Sequence, residues 1–538
     1  MEWRRSFLRR LAPPALIACS FFAAACLHRF VETTARVVER PLDTSTDTIR
    51  TPLKVHLVDG STVVFEGGAR VTASRIEGAG LRYPLMAVVG APASAVPMDS
   101  VMGVEAFSER TNRFASVVVS LGATALGAVV TAGLLVAIFG SCPTVYADTG
   151  TGLLLEAEGF SYAISPLMEH RDLDPLRARP GPDGVLRLEL RNEAMETHFI
   201  NHVEIVAARH ATGTEVVADQ GGRPVTVSGF APALRARDRA GQDVMPFLAS
   251  RDGSLYSTSP VVIGAAREGD LDDWIDLDAE QLPEGDSIAV VMRLRNSLLN
   301  TILLYEGMLG GRDAPDMLTQ DLERIAQTVD LARWYVGTMG MRATVEGVPL
   351  RPSEPFVGHA RLTDVGPIAF RDVAIVLPRP VAAASRVRVR LAFVADNWRI
   401  DEVRVAGVVS RPAVTMLPVT RVIVPTPAQG TGPVDDTAAI PAIADADEKY
   451  FETRPGQRMT LEFAKEAPAS ALGGSDVTYL LGWQGWYREW LRPSWLARPM
   501  RTTPFVVGDA SMLTALRSWT SQKERFEQAF YSSSIPVR

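Results

Sequence analysis

Val387-Arg-Val-Arg-Leu-Ala-Phe-Val394 sets an apolar side chain at every second position with arginines between them. A period of two belongs to a strand with one face in a core and the other in water. The alternation recurs in Val185-Leu-Arg-Leu-Glu-Leu-Arg191, in residues 203–207 and in Ser287-Ile-Ala-Val-Val-Met-Arg-Leu-Arg295. Turn signals punctuate these runs at Pro182-Asp-Gly184, Asp252-Gly253 and Pro283-Glu-Gly285. The class expected from residue 141 onward is therefore mainly β.

One helix interrupts. Asp313 is a plausible N-cap and Pro315 lies near the start. Leu318, Leu322, Ile325, Val329 and Ala332 then recur at helical spacing until Gly337 and Gly340 end the pattern. The helix, 313–340, is expected to separate a β-rich domain (141–312) from a β-sandwich domain (341–538). Residues 424–447, rich in Pro, Gly, Thr, Ala and Asp, read as a long loop. Ser287–Arg295 and Ser385–Phe393 are faintly alike, which one alignment does not make a repeat.

Before residue 141 the pattern changes. Lys54-Val-His-Leu-Val-Asp-Gly-Ser-Thr-Val-Val-Phe65 is two strands around Asp59-Gly60, a hairpin signal. Further strands are expected at 71–76, 85–89 and 101–107, so residues 50–110 resemble a small SH3-like or Sm-like barrel. Sm-type RNA binding is not expected, because basic and stacking aromatic residues are sparse. Residues 114–140 then run without a charge, long enough to cross a bilayer as a helix, with Ala123, Gly127 and Gly133 suited to close helix packing.

The N-terminus reads as an address. Arg4, Arg5, Arg9 and Arg10 precede the apolar stretch 11–25, and Ala23-Ala-Ala-Cys26 resembles a lipobox, in which the cysteine is lipidated. Residues 27–49 form a linker. Arg110 and Arg113 before the 114–140 segment favour residue 113 in the cytoplasm, whereas export of the N-terminus places it outside. Residues 141–538 end outside under either topology. A membrane is thus an expected partner, through a lipid on Cys26, the 114–140 helix or both.

Composition narrows the rest. The chain of 538 residues is 47% apolar and 22% charged, with net charge −7. No basic block lies beyond the N-terminus, so nucleic acid is not expected as a partner. Three cysteines, two of them inside the N-terminal apolar run, exclude a disulfide framework.

Three clusters are candidate sites. Tyr479 to Trp495 holds Trp483, Trp486, Tyr487, Trp490 and Trp495. Exposed, they would stack on sugars or anchor a protein partner; inward, they fill the sandwich core. Asp270, Asp272, Asp273, Asp276 and Asp278 offer oxygen ligands for calcium, or else a solvated strand face. Glu196, His198 and His202 have metal-ligand chemistry, but the stretch reads as a strand with a polar face. Cys142 reads as a buried thiol. No catalytic motif is present, and no cofactor is expected other than possible calcium.

Two resemblances complete the reading. Asp396-Asn-Trp-Arg-Ile-Asp-Glu-Val-Arg-Val405 resembles the W-x-I-D-x-V strand that ends many jelly-roll sandwiches, and Trp274-Ile-Asp-Leu-Asp278 is similar. Cys142-Pro-Thr-Val-Tyr146, Glu196-Thr-His-Phe-Ile-Asn-His202 and Asn296-Ser-Leu-Leu-Asn300 resemble segments of an uncharacterised bacterial envelope lipoprotein family. That resemblance implies a lipobox, a small barrel, a Gly-rich hydrophobic helix and a β-rich region, and it implies no activity. The expected function is a membrane-tethered extracytoplasmic structural or binding protein. The alternatives are a hydrolase acting on glycans and an oligomeric envelope or secretion-apparatus component.

Overall fold

A computed structural model describes residues 31–37, 47–50, 53–57, 62–65, 67–83, 91–111, 142–150, 152–194, 196–282, 285–308, 325–346, 359–379, 386–424, 434–437, 439–447, 449–453, 457–466, 475–490 and 508–531. The lipobox with Cys26, the 114–140 segment, the Asp59-Gly60 turn, the expected strand 85–89 and Trp495 lie outside these residues. Among the described residues, no helix is long and apolar enough to cross a membrane. The class is mainly β, as the alternation requires.

The N-terminal strands form one eight-stranded antiparallel sheet, and Val31–Val37 and Asp47–Ile49, within the stretch expected as a linker, are two of them because they pair with Val101–Thr111 and Ala69–Val71. The expected hairpin pairs Leu53 with Phe65 and His56 with Thr62. Residues 71–76 are not one strand. The Thr72 hydroxyl donates to the Arg75 carbonyl (2.8 Å) and accepts the Arg75 N–H, turning the chain between Ala69–Val71 and Arg75–Tyr83. A hydroxyl that bonds nearby backbone competes with continued pairing in this way.

Three assemblies make up the rest. A ten-stranded sheet runs in the order Leu153–Glu158, Thr144–Asp148, Arg187–Arg191, Arg458–Phe463, Ala413–Val424, Glu196–Ala211, Ser475–Glu489, His170–Pro175, with two short strands attached. Strands Glu215–Asp219, Pro224–Ser228, Trp398–Ser410, Ser287–Asn296 and Arg371–Pro378 close a barrel through a parallel pair at Ala218 and Val373. Ala233–Asp238, Asp272–Glu280, Arg386–Val394, Met341–Val345 and His359–Leu362 form a five-stranded sheet. That sheet packs Ile275, Leu277, Val389 and Leu391 onto Ile288, Val290, Met292 and Ile375 of the barrel. The alternate positions Ala289, Val291 and Ala374 fill the narrow barrel interior with Val217 and Val227. Residues 288–294 are therefore apolar almost continuously, as strands buried on both faces must be.

The helix does not divide the chain into two separate sheets. Arg187–Arg191 pairs with Arg458–Phe463, and Asp272–Glu280 with Arg386–Val394, so strands from both sides share every assembly. Alternation gives a strand its faces but not its neighbour, and these partners are far apart in sequence. The described part of the expected helix is Ile325–Thr338, which stops before Gly340 as the sequence indicates.

A second helix, Asp509–Tyr531, went unread in the sequence. Its Met512, Leu516, Trp519 and Phe526 are buried against the long sheet and residues 298–308. The spacing is helical. The Trp519 Nε1–H donates to Asp396 Oδ2 (2.7 Å), and Lys523 Nζ lies 3.1 Å from the same oxygen. Trp519→Ala should cost roughly 3–5 kcal/mol in a denaturant titration, and Trp519→Phe clearly less. An unchanged midpoint for Trp519→Ala would mean that the helix is not docked.

Candidate functional site

Between Leu362 and Arg371 the chain crosses the interior without joining a helix or sheet, burying Asp364, Val365 and Ala369. Buried backbone must be hydrogen-bonded, and here side chains supply the partners. The Val365 N–H donates to Asn296 Oδ1 (2.8 Å), and the Gly366 N–H to Asn296 Oδ1 and Asp364 Oδ1. The Ile368 and Ala369 N–H groups both donate to Glu158 Oε2, at 2.6 and 2.9 Å. The Pro367 carbonyl accepts from Arg295 Nη1 (2.9 Å). Gly366 has φ +91°, and a Cβ there would lie 2.5 Å from the Glu158 carboxyl carbon, so glycine is required twice over.

Asp364 gathers a second set of donors: the Ser161 hydroxyl, Asn300 Nδ2 (2.5 Å) and the Tyr335 hydroxyl (2.6 Å). These tie residues 158–164, the turn after Asn296 and the Ile325–Thr338 helix to the crossing segment. Phe160, just before Ser161, is buried with φ +60°, a region non-glycine residues rarely occupy. Its N–H is held by Asp172 Oδ2 (2.9 Å). Arg371 lies between Asp172 (3.0 Å) and Asp174 (2.5 Å), and Trp483 Nε1–H donates to Asp174. This buried ion triad joins the ten-stranded sheet to the barrel.

Electrostatics follow from burial. Desolvation pushes the Glu158 carboxyl up to about 8 against its two backbone donors, and it also raises Asp364. Burial and neighbouring carboxylates raise the Cys142 thiol. Burial lifts Asp174 to about 6, with Asp172 adding to the rise against Arg371. Asp172 is held well below the usual carboxylate range by Arg371 and His170, despite burial. Burial lowers His198 to about 3, so its imidazole is neutral.

The motifs singled out in the sequence meet here. Asn296 and Asn300 hold the crossing segment, and Cys142 is buried near enough to Glu158, Glu196 and Asp364 for their charges to raise its thiol. Glu196 and His198 are buried, with His198 between Glu196 (3.2 Å) and the Thr453 hydroxyl (3.1 Å). His198 and His202 do not converge. A bulge after Ile200 pairs them with Tyr487 and Gln484, whose side chains point to opposite faces.

The aromatic cluster is core. Trp483, Trp486, Tyr487 and Trp490 are all buried, because Ser475–Glu489 runs mid-sheet between two strands with both faces covered. Trp486 stacks on Phe199 at 4.0 Å, and Trp490 Nε1–H donates to Thr197. The acidic cluster is dispersed among arginines. Asp270 binds Arg239 through both oxygens, Asp272 binds Arg342, and Asp273 accepts the Tyr256 hydroxyl (2.7 Å). Asp276 and Asp278 pair across the sheet with Arg390 and with Arg388 and Arg386. Among the described residues, no three metal-ligating side chains gather.

Sequence reasoning missed Glu158, Asp172, Asp174, Asp364 and Arg371. Glu156 and Glu158 stand in an otherwise apolar run, Leu153-Leu-Leu-Glu-Ala-Glu158, which is the only local hint.

No family model matches the chain, and no curated protein matches it. A solved structure with some similarity is the GH31 alpha-xylosidase from Xanthomonas citri, at 8% identity and TM-score 0.15. The match covers 82% of this chain and 33% of that one, so the chain spans about a third of that protein's length. At this TM-score the similarity carries no argument.

Chemically, the arrangement holds protons. Glu158 is raised in the folded state, so its contribution to stability is full below its unfolded value and is lost as pH rises towards about 8. Wild type should lose stability between about pH 4.5, the ordinary carboxyl value, and about pH 8, at up to roughly 1.4 kcal/mol per pH unit for one proton. Glu158→Gln should flatten that slope in urea titrations. An identical slope in the variant would show that Glu158 is ionised when folded.

Proposed function

We propose that this chain is an extracytoplasmic structural or binding protein of the bacterial envelope, held at a membrane near its N-terminus by a lipid on Cys26, the 114–140 helix or both. The observation that carries this reading is how the buried polar groups are used. Glu158, Asp364 and the Asp172–Arg371–Asp174 triad direct their hydrogen bonds inward, onto the crossing segment and its neighbours. Ser161 points its hydroxyl at Asp364. Such groups are positioned to hold sheets together, and a described cavity of about 250 Å³ lies elsewhere, bordered by Leu57, Val63, Arg82 and Val96. In this reading residues 50–110 act as an SH3-like or Sm-like spacer. Jelly-roll-like sheets then present a surface to a protein or glycan.

Hydrolysis of glycans is a second reading, favoured by the strained Phe160 beside two raised carboxyls, Glu158 and Asp364.

Membrane fractionation of wild type and Cys26→Ala, with labelled fatty acid and external protease, tests the tether. Label lost in the variant, with residues 141–538 digested from outside, is the expected result. Residues 141–538 protected from external protease would overturn the extracytoplasmic assignment. Reducing-sugar release from envelope glycans by wild type, abolished in Glu158→Gln, would favour the second reading.

A further inference from the structure

Strand Ala413–Val424 is paired unevenly. Residues 413–418 pair with Glu204–Arg209 on one side, whereas Arg458–Phe463 meets the other side only from residue 419 onward. Among the described residues, nothing pairs with the outer edge of Ala413–Leu417. An open edge presents unmade backbone hydrogen bonds and invites another strand.

The side chains match that edge. Val414 lies opposite Ala208 and Met416 opposite Val206, both buried in a cluster with Leu173, Val216 and Leu480. The apolar layer thus runs outward until it is uncovered, with Val414 43% and Met416 50% exposed. Val409, on the preceding strand, which belongs to the barrel, is 56% exposed.

We propose that this edge pairs with the same edge of a second copy of the chain, antiparallel about a two-fold axis at Thr415. The sequence Pro412-Ala-Val-Thr-Met-Leu-Pro418 is self-complementary in that register. Val414 faces the partner's Met416 on one side of the seam, as an isologous contact requires. The Ala464 N–H already holds the Pro418 carbonyl on this edge (2.9 Å) and Pro412 has no N–H, so the seam is confined to Ala413–Leu417. The occupant is a copy of this chain because the edge carries its own complement in both side chains and length. Five residues a side fall far short of the ~20–30 of a stable interface, so the dimer is concentration-dependent.

Sedimentation of the full chain across a concentration series tests this. Wild type should shift towards dimer as concentration rises. Val414→Lys/Met416→Lys, at exposed positions, should stay monomeric with an unchanged thermal midpoint, because like charges then face each other across the axis. Val414→Glu/Met416→Glu should also stay monomeric, and mixing the two variants should restore a one-to-one dimer. A wild type that is monomeric throughout overturns the proposal. So does a dimer that survives both double substitutions, which would be held by another segment.

Discussion

A chain that crosses an interior outside any helix or sheet must find a partner for every backbone N–H and C=O it buries. In residues 363–370 the N–H groups of Val365, Gly366, Ile368 and Ala369 and the carbonyls of Gly366 and Pro367 find theirs, and much of the surrounding design follows from it. Asn296, Arg295, Glu158 and Asp364 are buried because that backbone needs them. Arg295 and Asn296 end the barrel strand Ser287–Asn296, Glu158 ends the hairpin before Phe160, and Asp364 reaches Tyr335 of the Ile325–Thr338 helix, so the crossing segment ties all three into one joint. An apolar residue at any of these positions would leave a donor or acceptor unmet, at about 1–3 kcal/mol each.

The ion triad does a related job at the other end of the segment. Arg371 begins a barrel strand, and Asp172 and Asp174 face it from the edge of the ten-stranded sheet. A buried ion pair is weak as a source of stability, but losing one partner is costly because the remaining charge is stranded. We read the triad as a register device: sliding the barrel along the sheet would separate Arg371 from one carboxylate. The exposed Asp–Arg ladder of the five-stranded sheet has the same chemistry in water, where it is worth far less.

Much of the fold was legible because its signal is local. Alternation in 387–394 and 287–295 marked strands, and Gly340 marked the end of a helix. Strand partners were not legible, since alternation says nothing about which distant edge a strand joins. The tryptophans of 479–490 showed the same limit. Their chemistry suits a binding face or a core equally, and only the packing that buries both faces of Ser475–Glu489 decides for the core. The polar joint was invisible for a physical reason: Glu158, Asp172 and Asp364 are ordinary acids until a fold removes their water. Asn296 and Asn300 were noticed through resemblance, without their role, whereas Cys142 was read as the buried thiol it is.

The pairing of Arg187–Arg191 with Arg458–Phe463 has a consequence in time. The ion pair between Arg187 and Glu462 spans 275 residues, and the helix that seals the core, Asp509–Tyr531, is made later still. Arg187–Arg191 pairs on one edge with nearby Thr144–Asp148, but its other edge must wait for Arg458–Phe463. Distant pairing of this kind is slow because loop closure precedes any reward. A nascent chain that has not reached Glu489 therefore cannot complete its long sheet. Until that stretch is made it remains a client for whatever shields exposed strand edges.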